Sequence, residues 1–354
     1  MPPADSEDIP DPLAHALTSL AHSGRLTEEQ VDAALRVLIH GEASPVRAAA
    51  LLMGMRVQGE SGVEIAGAAR ALRSVMRTVL VPPGITPIDT AGTGGGHVGT
   101  FNVSTAAAFV AAGAGAHVAK HGNRSYTSRC GSADVLEALG IDLTVQADGA
   151  TRILGDVGMV FLYAPAFHPA MRYVAPVRRE LAVPTVMNLV GPLVNPASAR
   201  RQVVGVADRE RAPAVADALV RLGTAHALVV HGEAGMDEIA PHGPTAVWEV
   251  RNGEVTEWML DPTALGIAPV DLDALRGGTP KQNAERILRL FTSPANDPAG
   301  RAATVLNAGA ALYVAGVAAS VGEGVGRASA ALDEGRAMLV LEALRGAPAA
   351  SSGG

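Results

Sequence analysis

The sequence contains very little cysteine and few aromatic side chains. Its one cysteine, Cys130, excludes an intrachain disulfide and any metal site built from several thiolates. Aromatic residues make up 3% of the chain, so the core must consist mainly of Ala, Val and Leu. No apolar run reaches the roughly 18 uncharged residues that a membrane-spanning helix needs. With 354 residues, 48% of them hydrophobic, the chain can form one large or two modest globular domains.

An excess of basic charge and a targeting signal are also missing. The net charge of -7 argues against an extended nucleic-acid surface, which needs a basic face. The amino-terminal stretch MPPADSEDIPDP is acidic and proline-rich, without the basic start and apolar run of a signal peptide. We therefore expect a soluble cytoplasmic protein whose ends, residues 1–11 and 346–354, are disordered.

Residues 12–82 carry only helical patterns. Thr27 stands three residues before Gln30, which is the spacing of a capping box at a helix start. Ser44 followed by Pro45 is a second helix start, with proline at the first helical position. This region is predicted to be a small all-helical domain, which the helical mid-chain segment 168–190 joins.

Beyond residue 82, short apolar runs alternate with helical stretches. The runs ITPIDT, HVAK, MVFLYA, RQVVGV and HALVVHG predict a mainly parallel central sheet covered by helices. Two alternating strands around Asn252-Gly253 predict a hairpin. The fold class is thus α/β, with a large domain formed by residues 83–167 and 191–345. The last helical stretch, GVGRASAALDEGRAMLVLEAL, is expected to pack on the sheet.

A glycine-rich loop, DTAGTGGGHVGTFNVST, follows the first predicted strand. Glycines allow backbone N–H groups to approach an anion, and the helix that follows adds unpaired N–H donors. The loop also supplies the hydroxyls of Thr93, Thr100, Ser104 and Thr105. These features predict a phosphate or pyrophosphate site, although a plain glycine-rich turn remains the alternative.

Two better-known phosphate loops do not fit this segment. A nucleotide P-loop requires a lysine directly after its last glycine, and none follows here. Gly94, Gly96 and Gly99 match the dinucleotide fingerprint, but the acidic residue expected about 20 residues later is absent.

Basic and acidic groups follow two other predicted strands. Lys120, His121 and Arg124 cluster after HVAK, and strand ends of this kind form the ligand crevice of α/β sheets. Asp237 and Glu238 follow HALVVHG and offer the hard oxygen ligands that suit Mg²⁺ bound with substrate phosphates. Together with the glycine loop they predict a site for a doubly phosphorylated substrate. Taken separately, each could be a solvated surface patch.

Five segments together resemble the anthranilate phosphoribosyltransferase family over roughly residues 12–345. They are the glycine loop through TFNVST, then AKHGNR with GSADVLEALG, HPAMRYVAPVRREL, MNLVGPLVNPA, and MDEI with GPT. The resemblance implies transfer of the phosphoribosyl group of 5-phosphoribosyl-1-diphosphate (PRPP) to the amine of anthranilate. The products would be N-(5-phosphoribosyl)anthranilate and pyrophosphate, in tryptophan biosynthesis. It also implies Mg²⁺, two per subunit, a homodimer formed through the helical domain, and no nucleic-acid or membrane partner.

The resemblance assigns roles to individual residues. For PRPP it implies the glycine loop, the start of the next helix and the KHGNR segment: Gly92, Thr93, Gly94, Gly95, Gly96, Thr100, Asn102, Val103, Ser104, Thr105, Lys120, His121, Gly122, Asn123, Arg124, Ser125, Tyr126, Thr127, Ser128 and Ser132. For anthranilate it implies Gly92, Asn123, His168 and Arg178, with Arg179 as an alternative partner for the carboxylate. Ser104, Asp237 and Glu238 would hold the metal.

The mechanism that this implies needs no dedicated acid, base or nucleophile. The amine attacks directly, while Mg²⁺ with Lys120, Asp237 and Glu238 provides the electrostatic environment for the departing pyrophosphate. One departure stands out, because family members usually carry Asp-Gly where this chain has Gly96-His97. Backbone donors could suffice, His97 could substitute in part, or acceptor specificity could differ. We expect preserved activity.

Other functions remain open at this point. They are a related phosphoribosyltransferase with another aromatic acceptor, a nucleoside phosphorylase of the same architecture, and a non-catalytic paralogue that binds nucleic acid.

Overall fold

The computed structural model describes residues 11–96, 98–125 and 129–348. The amino-terminal part of this region contains only helices: α1 (Pro12–Ala21), α2 (Glu28–Ile39), α3 (Pro45–Gln58) and α4 (Gly62–Arg73). The predicted starts are confirmed, since Thr27 and Gln30 form a reciprocal capping box and Ser44 caps α3. Asp11 caps α1, so it belongs to the folded part and not to the predicted disordered end. The other predicted disordered residues lie mostly outside the described ones.

Seven strands form one sheet in the described part of the chain. They are β1 (Pro87–Asp89), β2 (His117–Gly122), β3 (Met159–Tyr163), β4 (Arg201–Gly205), β5 (His226–Gly232), β6 (Thr245–Arg251) and β7 (Glu254–Leu260). Their order is β3-β2-β1-β4-β5-β6-β7. β1 to β5 run parallel to one another, and each of β6 and β7 pairs antiparallel with the strand before it. The prediction of a mainly parallel sheet is therefore confirmed. The strand order reverses at β1, between β2 and β4, and ligand crevices form at the carboxyl ends of strands at such a point.

The predicted hairpin joins β6 to β7. Asn252 has φ 54° and Gly253 has φ 82°, the two positive values that a type I′ turn requires. The paired ends Arg251 and Glu254 flank this two-residue turn directly. The hairpin prediction is therefore confirmed.

Eleven further helices within the described residues complete the chain. They are α5 (Val103–Gly113), α6 (Ser132–Ala138), α7 (Ala147–Val157), α8 (Ala164–Phe167), α9 (Ala175–Leu181), α10 (Val186–Leu189), α11 (Ala212–Arg221), α12 (Pro280–Thr292), α13 (Pro298–Ala315), α14 (Val321–Asp333) and α15 (Arg336–Gly346). None of the described helices is long and apolar enough to cross a membrane.

The last predicted helical stretch differs from expectation. Gly335, with φ 72°, interrupts it and separates α14 from α15. α14 packs mainly on the helices α13 and α5, so it forms a second layer of helices outside those that cover the sheet. α13 and α15 contact the strands themselves. The mid-chain stretch 168–182 is also divided, into a 3₁₀ turn over Pro169–Tyr173 and the short helix α9.

Two hydrophobic cores lie on opposite faces of the sheet. One joins α5, α13 and α15 with the buried faces of β1 to β3. The other joins α1 to α4 with α11 and the facing side chains of β4 to β6. α4 packs closely on α11, where a side chain on Gly62 would overlap Asp217. The helical part thus packs on α11, which in turn packs on β5 and β6 of the sheet.

Candidate functional site

A cleft lies at the carboxyl ends of β1, β4 and β5. Predicted site residues from three separate segments line it: Gly92, Ser104, Asp237 and Glu238. Sequence reasoning missed the others: Thr90, Ala91, Ala107, Val203, Gly205, Val230 and Asn307. Thr90 and Ala91 lie within the glycine-loop motif itself, and Val203, Gly205 and Val230 lie on predicted strands that run into the crevice.

Backbone contacts hold the glycine loop against the acidic segment. Thr93 N donates to Gly205 O at 2.8 Å. A Cβ on Gly205 would overlap the backbone of Asp237, so only glycine allows this approach. Gly94 and Gly95 have φ of 68° and 83°, so these two positions also favour glycine. The loop conformation is therefore set by glycines and leaves backbone donors near the cleft.

The two acidic side chains are half-buried and adjacent. Glu238 accepts hydrogen bonds from Thr100 Oγ1 at 3.2 and 3.3 Å. Burial raises the pKa of Asp237, and burial together with repulsion from Asp237 raises the pKa of Glu238 well above its usual value. A divalent cation would relieve that repulsion. Two carboxylates with the Ser104 hydroxyl form a hard oxygen set that fits Mg²⁺ bound jointly with phosphates.

Lys120 lies buried beside this cleft, where β2 ends. Its Nζ donates to Thr90 O at 2.6 Å, and to Thr90 Oγ1 and Ser104 Oγ at 3.4 Å. Burial lowers the pKa of Lys120 to about 8, although the negative charges of Asp89 and Glu238 act in the opposite direction. The ammonium is thus held at the junction of the glycine loop and α5.

Two neutral histidines stand next to each other beyond Lys120. The rings of His121 and His168 have centroids 5.0 Å apart. Burial lowers the pKa of His121 to about 3 and that of His168 to about 4. His121 Nδ1 donates to Gly191 O at 3.1 Å, so Nδ1 carries the proton. Both buried Nε2 atoms have no hydrogen-bond partner among the described residues. The contact joins a residue predicted for PRPP with one predicted for anthranilate.

The KHGNR segment continues along α6. Arg124 is exposed and its guanidinium pairs with Asp134 and Glu137 at 2.8–2.9 Å, which raises its pKa. Ser132 Oγ donates to Asn123 O at 3.3 Å, and a Cβ on Gly122 would overlap that hydroxyl. Ser125 N donates to Asp134. The remaining predicted residues of the segment, Tyr126, Thr127 and Ser128, lie outside the described residues, as does His97.

At the start of α5, two residues predicted for PRPP are buried. The helix begins at Val103, with Asn102 at the N-cap. Thr105 is fully buried, its hydroxyl has no partner among the described residues, and it is not among the residues that line the cleft. Val103 is also buried, so its contribution is limited to the backbone. The Asn102 amide bonds Cys130 O at 3.2 Å and Asn283 Nδ2 at 2.9 Å. Asn102 therefore links the end of the glycine loop to Cys130 and to Asn283 on α12.

Arg178 is partly buried on α9, whereas Arg179 is exposed. α9 packs on α3 and on the 3₁₀ turn that follows His168. The arginine thus belongs to the helical side of the molecule and is not among the residues that line the cleft.

Comparisons with known proteins agree with this architecture. Residues 85–338 match the model of the α/β domain of a glycosyl transferase family, and residues 14–76 match that of its helical bundle domain. The class is thus a two-part glycosyl transferase. A curated anthranilate phosphoribosyltransferase from Rubrobacter xylanophilus is 50% identical over 93% of this chain and 96% of its own length.

Solved structures of the same kind superpose closely. The anthranilate phosphoribosyltransferase of Thermus thermophilus has a TM-score of 0.88 at 45% identity, covering 93% of this chain and 98% of its own. The Saccharomyces cerevisiae enzyme, in complex with PRPP and Mg, has a TM-score of 0.85 at 28% identity, covering 94% and 96%. The chain belongs to the anthranilate phosphoribosyltransferase family.

Proposed function

We propose that the cleft is the PRPP site of an enzyme that transfers the 5-phosphoribosyl group to the amine of anthranilate. The products are N-(5-phosphoribosyl)anthranilate and pyrophosphate, as in tryptophan biosynthesis. One observation carries the proposal: a glycine loop, a helix start and two carboxylates line one cleft at the carboxyl ends of parallel strands, and a buried lysine lies beside it. Family membership supports the same reaction.

The diphosphate is assigned to the loop and the start of α5. Backbone N–H groups of Gly92 to Gly96 and the unpaired donors of the first turn of α5 favour an anion, and Lys120 adds a positive charge. Thr93, Thr100 and Ser104 add hydroxyls from the same side. The segment from His121 to Ser132 is assigned to the ribose and its phosphate. Arg124 pairs with Asp134 and Glu137 through Nη1 and Nη2, so these carboxylates compete with a phosphate for its charge.

Mg²⁺ fits at Ser104, Asp237 and Glu238, and the yeast relative has been solved with PRPP and Mg. When bound there, the cation neutralises charge that develops on the departing pyrophosphate. We propose two Mg²⁺ ions per subunit, which would share the two carboxylates and the hydroxyl as ligands. The protein itself holds these oxygens close together, although the carboxylates of Asp237 and Glu238 repel each other.

Anthranilate is assigned to the side where Asn123, His168 and Arg178 lie. A guanidinium suits its carboxylate, and the aromatic ring would pack near the two neutral histidines. The amine nitrogen forms the bond to the anomeric carbon as the carbon–oxygen bond to pyrophosphate breaks, and the nitrogen then gives up a proton. We assign no dedicated base, because positioning and charge stabilisation account for the step.

We further propose that the enzyme works as a cytoplasmic homodimer formed through its helical part. Sedimentation at several concentrations tests the assembly, and fractionation of cells tests the location. A single monomeric species at all concentrations would contradict the homodimer.

The activity is tested by incubating the protein with PRPP, Mg²⁺ and anthranilate and following the loss of anthranilate fluorescence. We expect a PRPP-dependent loss with formation of one pyrophosphate per anthranilate. Parallel reactions with other aromatic amines and phenols test acceptor choice. Turnover of one of those, with none of anthranilate, would contradict the proposed acceptor.

A further inference from the structure

The segment MNLVGPLVNPA is prominent in the sequence, yet the proposed ligand contacts do not use it. Within it, Asn195 is buried and forms three hydrogen bonds. Its Nδ2 donates to Asp89 Oδ2 at 2.7 Å and to Ala119 O at 2.8 Å, and its Oδ1 accepts from Ala197 N at 2.8 Å. The segment is thereby tied to the ends of β1 and β2.

Asp89 is a fully buried carboxylate at the last position of β1. Its Oδ1 accepts from Thr90 N at 2.7 Å and from His121 N at 3.2 Å. Burying a carboxylate is costly unless hydrogen bonds compensate, and here the bonds come from three different segments. Asp89 therefore joins the carboxyl ends of two neighbouring strands to the segment that contains Asn195.

The joined strand ends carry the proposed PRPP contacts. Thr90, whose N–H Asp89 holds, lines the cleft, and its carbonyl accepts from Lys120 Nζ at 2.6 Å. Thr90 Oγ1 donates to Ser104 O at 3.3 Å, which links the same residue to α5. Any shift of the β1 end relative to β2 would therefore displace Thr90 and the glycine loop relative to Lys120.

We propose that Asp89 and Asn195 are a positioning pair that fixes the ends of β1 and β2 in the geometry that PRPP binding requires. The inference rests on the proposed function, because it concerns the same cleft. Neither side chain needs to touch the substrate. The pair acts through Thr90 and through the backbone that carries Lys120.

The first test compares Asp89→Asn with a matched control, Glu249→Gln. Glu249 is likewise a hydrogen-bonded carboxylate, which accepts from His226, Trp258 and Tyr313 at 2.7–3.0 Å. Glu249 pairs with Leu228 in the sheet, and its side chain contacts His226, the first residue of β5, at the other end of the strands from the cleft. Both changes keep the size of the side chain and remove one charge. In Asp89→Asn, the new amide faces the Nδ2 of Asn195, so that two donors oppose each other.

We expect both variants to be less stable, with only Asp89→Asn impaired in PRPP use. Its kcat/KM for PRPP, measured well below the melting temperature, should fall by roughly 10²-fold, the size of a small misplacement of reacting groups. The variant's KM for PRPP should rise more than its KM for anthranilate. The proposal is overturned if Asp89→Asn keeps kcat/KM within about 3-fold of wild type, or if Glu249→Gln loses as much.

A double-mutant cycle tests whether the two residues act as a pair. Asn195→Ala should lower kcat/KM for PRPP in the same direction, and the double variant should lose less than the product of the two single effects. If the losses in kcat/KM of the two single variants simply multiply in the double variant, the two residues act independently and the pairing is overturned. Wild-type turnover is measured first. Its absence would refute the proposed function, whereas active wild type with equally active Asp89→Asn refutes only the present inference.

Discussion

Gly96 occupies the position at which the resemblance leads one to expect an aspartate. Its φ is not in the left-handed region, so conformation does not explain the glycine. A Cβ there would lie 2.8 Å from Asp237 Oδ1 and 3.3 Å from Gly235 O. The space that a side chain would need is thus adjacent to the Asp237 carboxylate. Gly96 leaves room for that carboxylate beside the cleft.

Gly96→Ala should therefore impair the site although it adds only one methyl group. Displacing Asp237 should lower kcat/KM for PRPP by roughly 10-fold and raise the Mg²⁺ concentration needed for half-maximal rate. Gly99→Ala is the matched control, because no atom of the described residues lies within 4 Å of its added Cβ and its φ is not in the left-handed region. Steady-state kinetics at several Mg²⁺ concentrations make the comparison. Equal behaviour of the two variants would contradict this explanation of Gly96.

Gly96→Asp gives a second test at the same residue. If the aspartate that the resemblance leads one to expect contacts PRPP, restoring it here would tighten PRPP binding. In the structure that carboxylate would adjoin Asp237, and the two negative charges would repel each other. We expect no tightening of PRPP binding by calorimetry at saturating Mg²⁺. Markedly tighter binding would show that a functional group is missing in this chain.

The two buried histidines predict a loss of stability in acid. Their folded-state pKa values, about 3 for His121 and about 4 for His168, lie below the ordinary 6.5. The unfolded chain therefore binds protons first as the pH falls. Stability is fully present above pH 6.5 and falls between about 6.5 and 4, by roughly 3 kcal/mol per histidine.

Chemical denaturation at pH 7.5, 6 and 5 measures this dependence. His168→Gln should flatten it, while the exposed His22→Gln should leave it unchanged. An unaltered slope in His168→Gln would mean that other groups cause the acid sensitivity.

At the scale of elements, α13 positions the acidic segment through Asn307. Its Nδ2 donates to Ile239 O at 3.0 Å and to Ala303 O at 2.9 Å, and its Oδ1 accepts from Ile239 N at 3.0 Å. The residue directly after Glu238 is thus held by both of its backbone groups. Asn307 also lines the cleft.

Asn307→Ala should loosen the acidic segment and weaken metal binding. Two buried backbone groups lose their partner, at a cost of about 1–3 kcal/mol each. We expect affinity for Mn²⁺, measured by electron paramagnetic resonance in the presence of PRPP, to fall by roughly 10-fold. Thr304→Val on the same helix is the control, since its buried hydroxyl has no partner among the described residues. Weakening of the same size in Thr304→Val would point to a general effect of α13.

The elements that sequence reasoning identified are those with local signals. The capping residues Thr27 and Ser44 and the Asn252-Gly253 turn act over three or four residues, so their positions in the chain suffice. The site motifs were recognised as segments, and Ser104 and Glu238 line the same cleft. The Asp89–Asn195 bond was not foreseen, because it joins residues 106 apart, and nothing local marks a buried carboxylate. The break between α14 and α15 was overlooked although Gly335 is a local signal.

At the scale of the whole molecule, an ion pair joins the helical part to the α/β part. Glu60, just before α4, has a fully buried side chain 2.9 Å from a guanidinium nitrogen of Arg211, just before α11. Burial raises the pKa of Glu60. The pair lies where α4 and α11 pack, within the core that both parts share.

Arg211→Met should destabilise the protein by about 3–5 kcal/mol, because it leaves a buried carboxyl without its partner. The double variant with Glu60→Leu should recover most of that loss, since an apolar pair of similar size avoids the desolvation cost. Urea denaturation measures both. Equal losses in the single and double variants would show that the ion pair does not determine stability at this joint.

The proposed function requires one cleft that binds PRPP together with Mg²⁺ through Asp237 and Glu238. The most direct test is calorimetric titration of PRPP, with and without Mg²⁺, into wild type and into the Asp237→Ala/Glu238→Ala double variant. We predict Mg²⁺-dependent binding to wild type that is lost in the variant, together with turnover. Unchanged Mg²⁺-dependent binding and turnover in the variant would contradict the account.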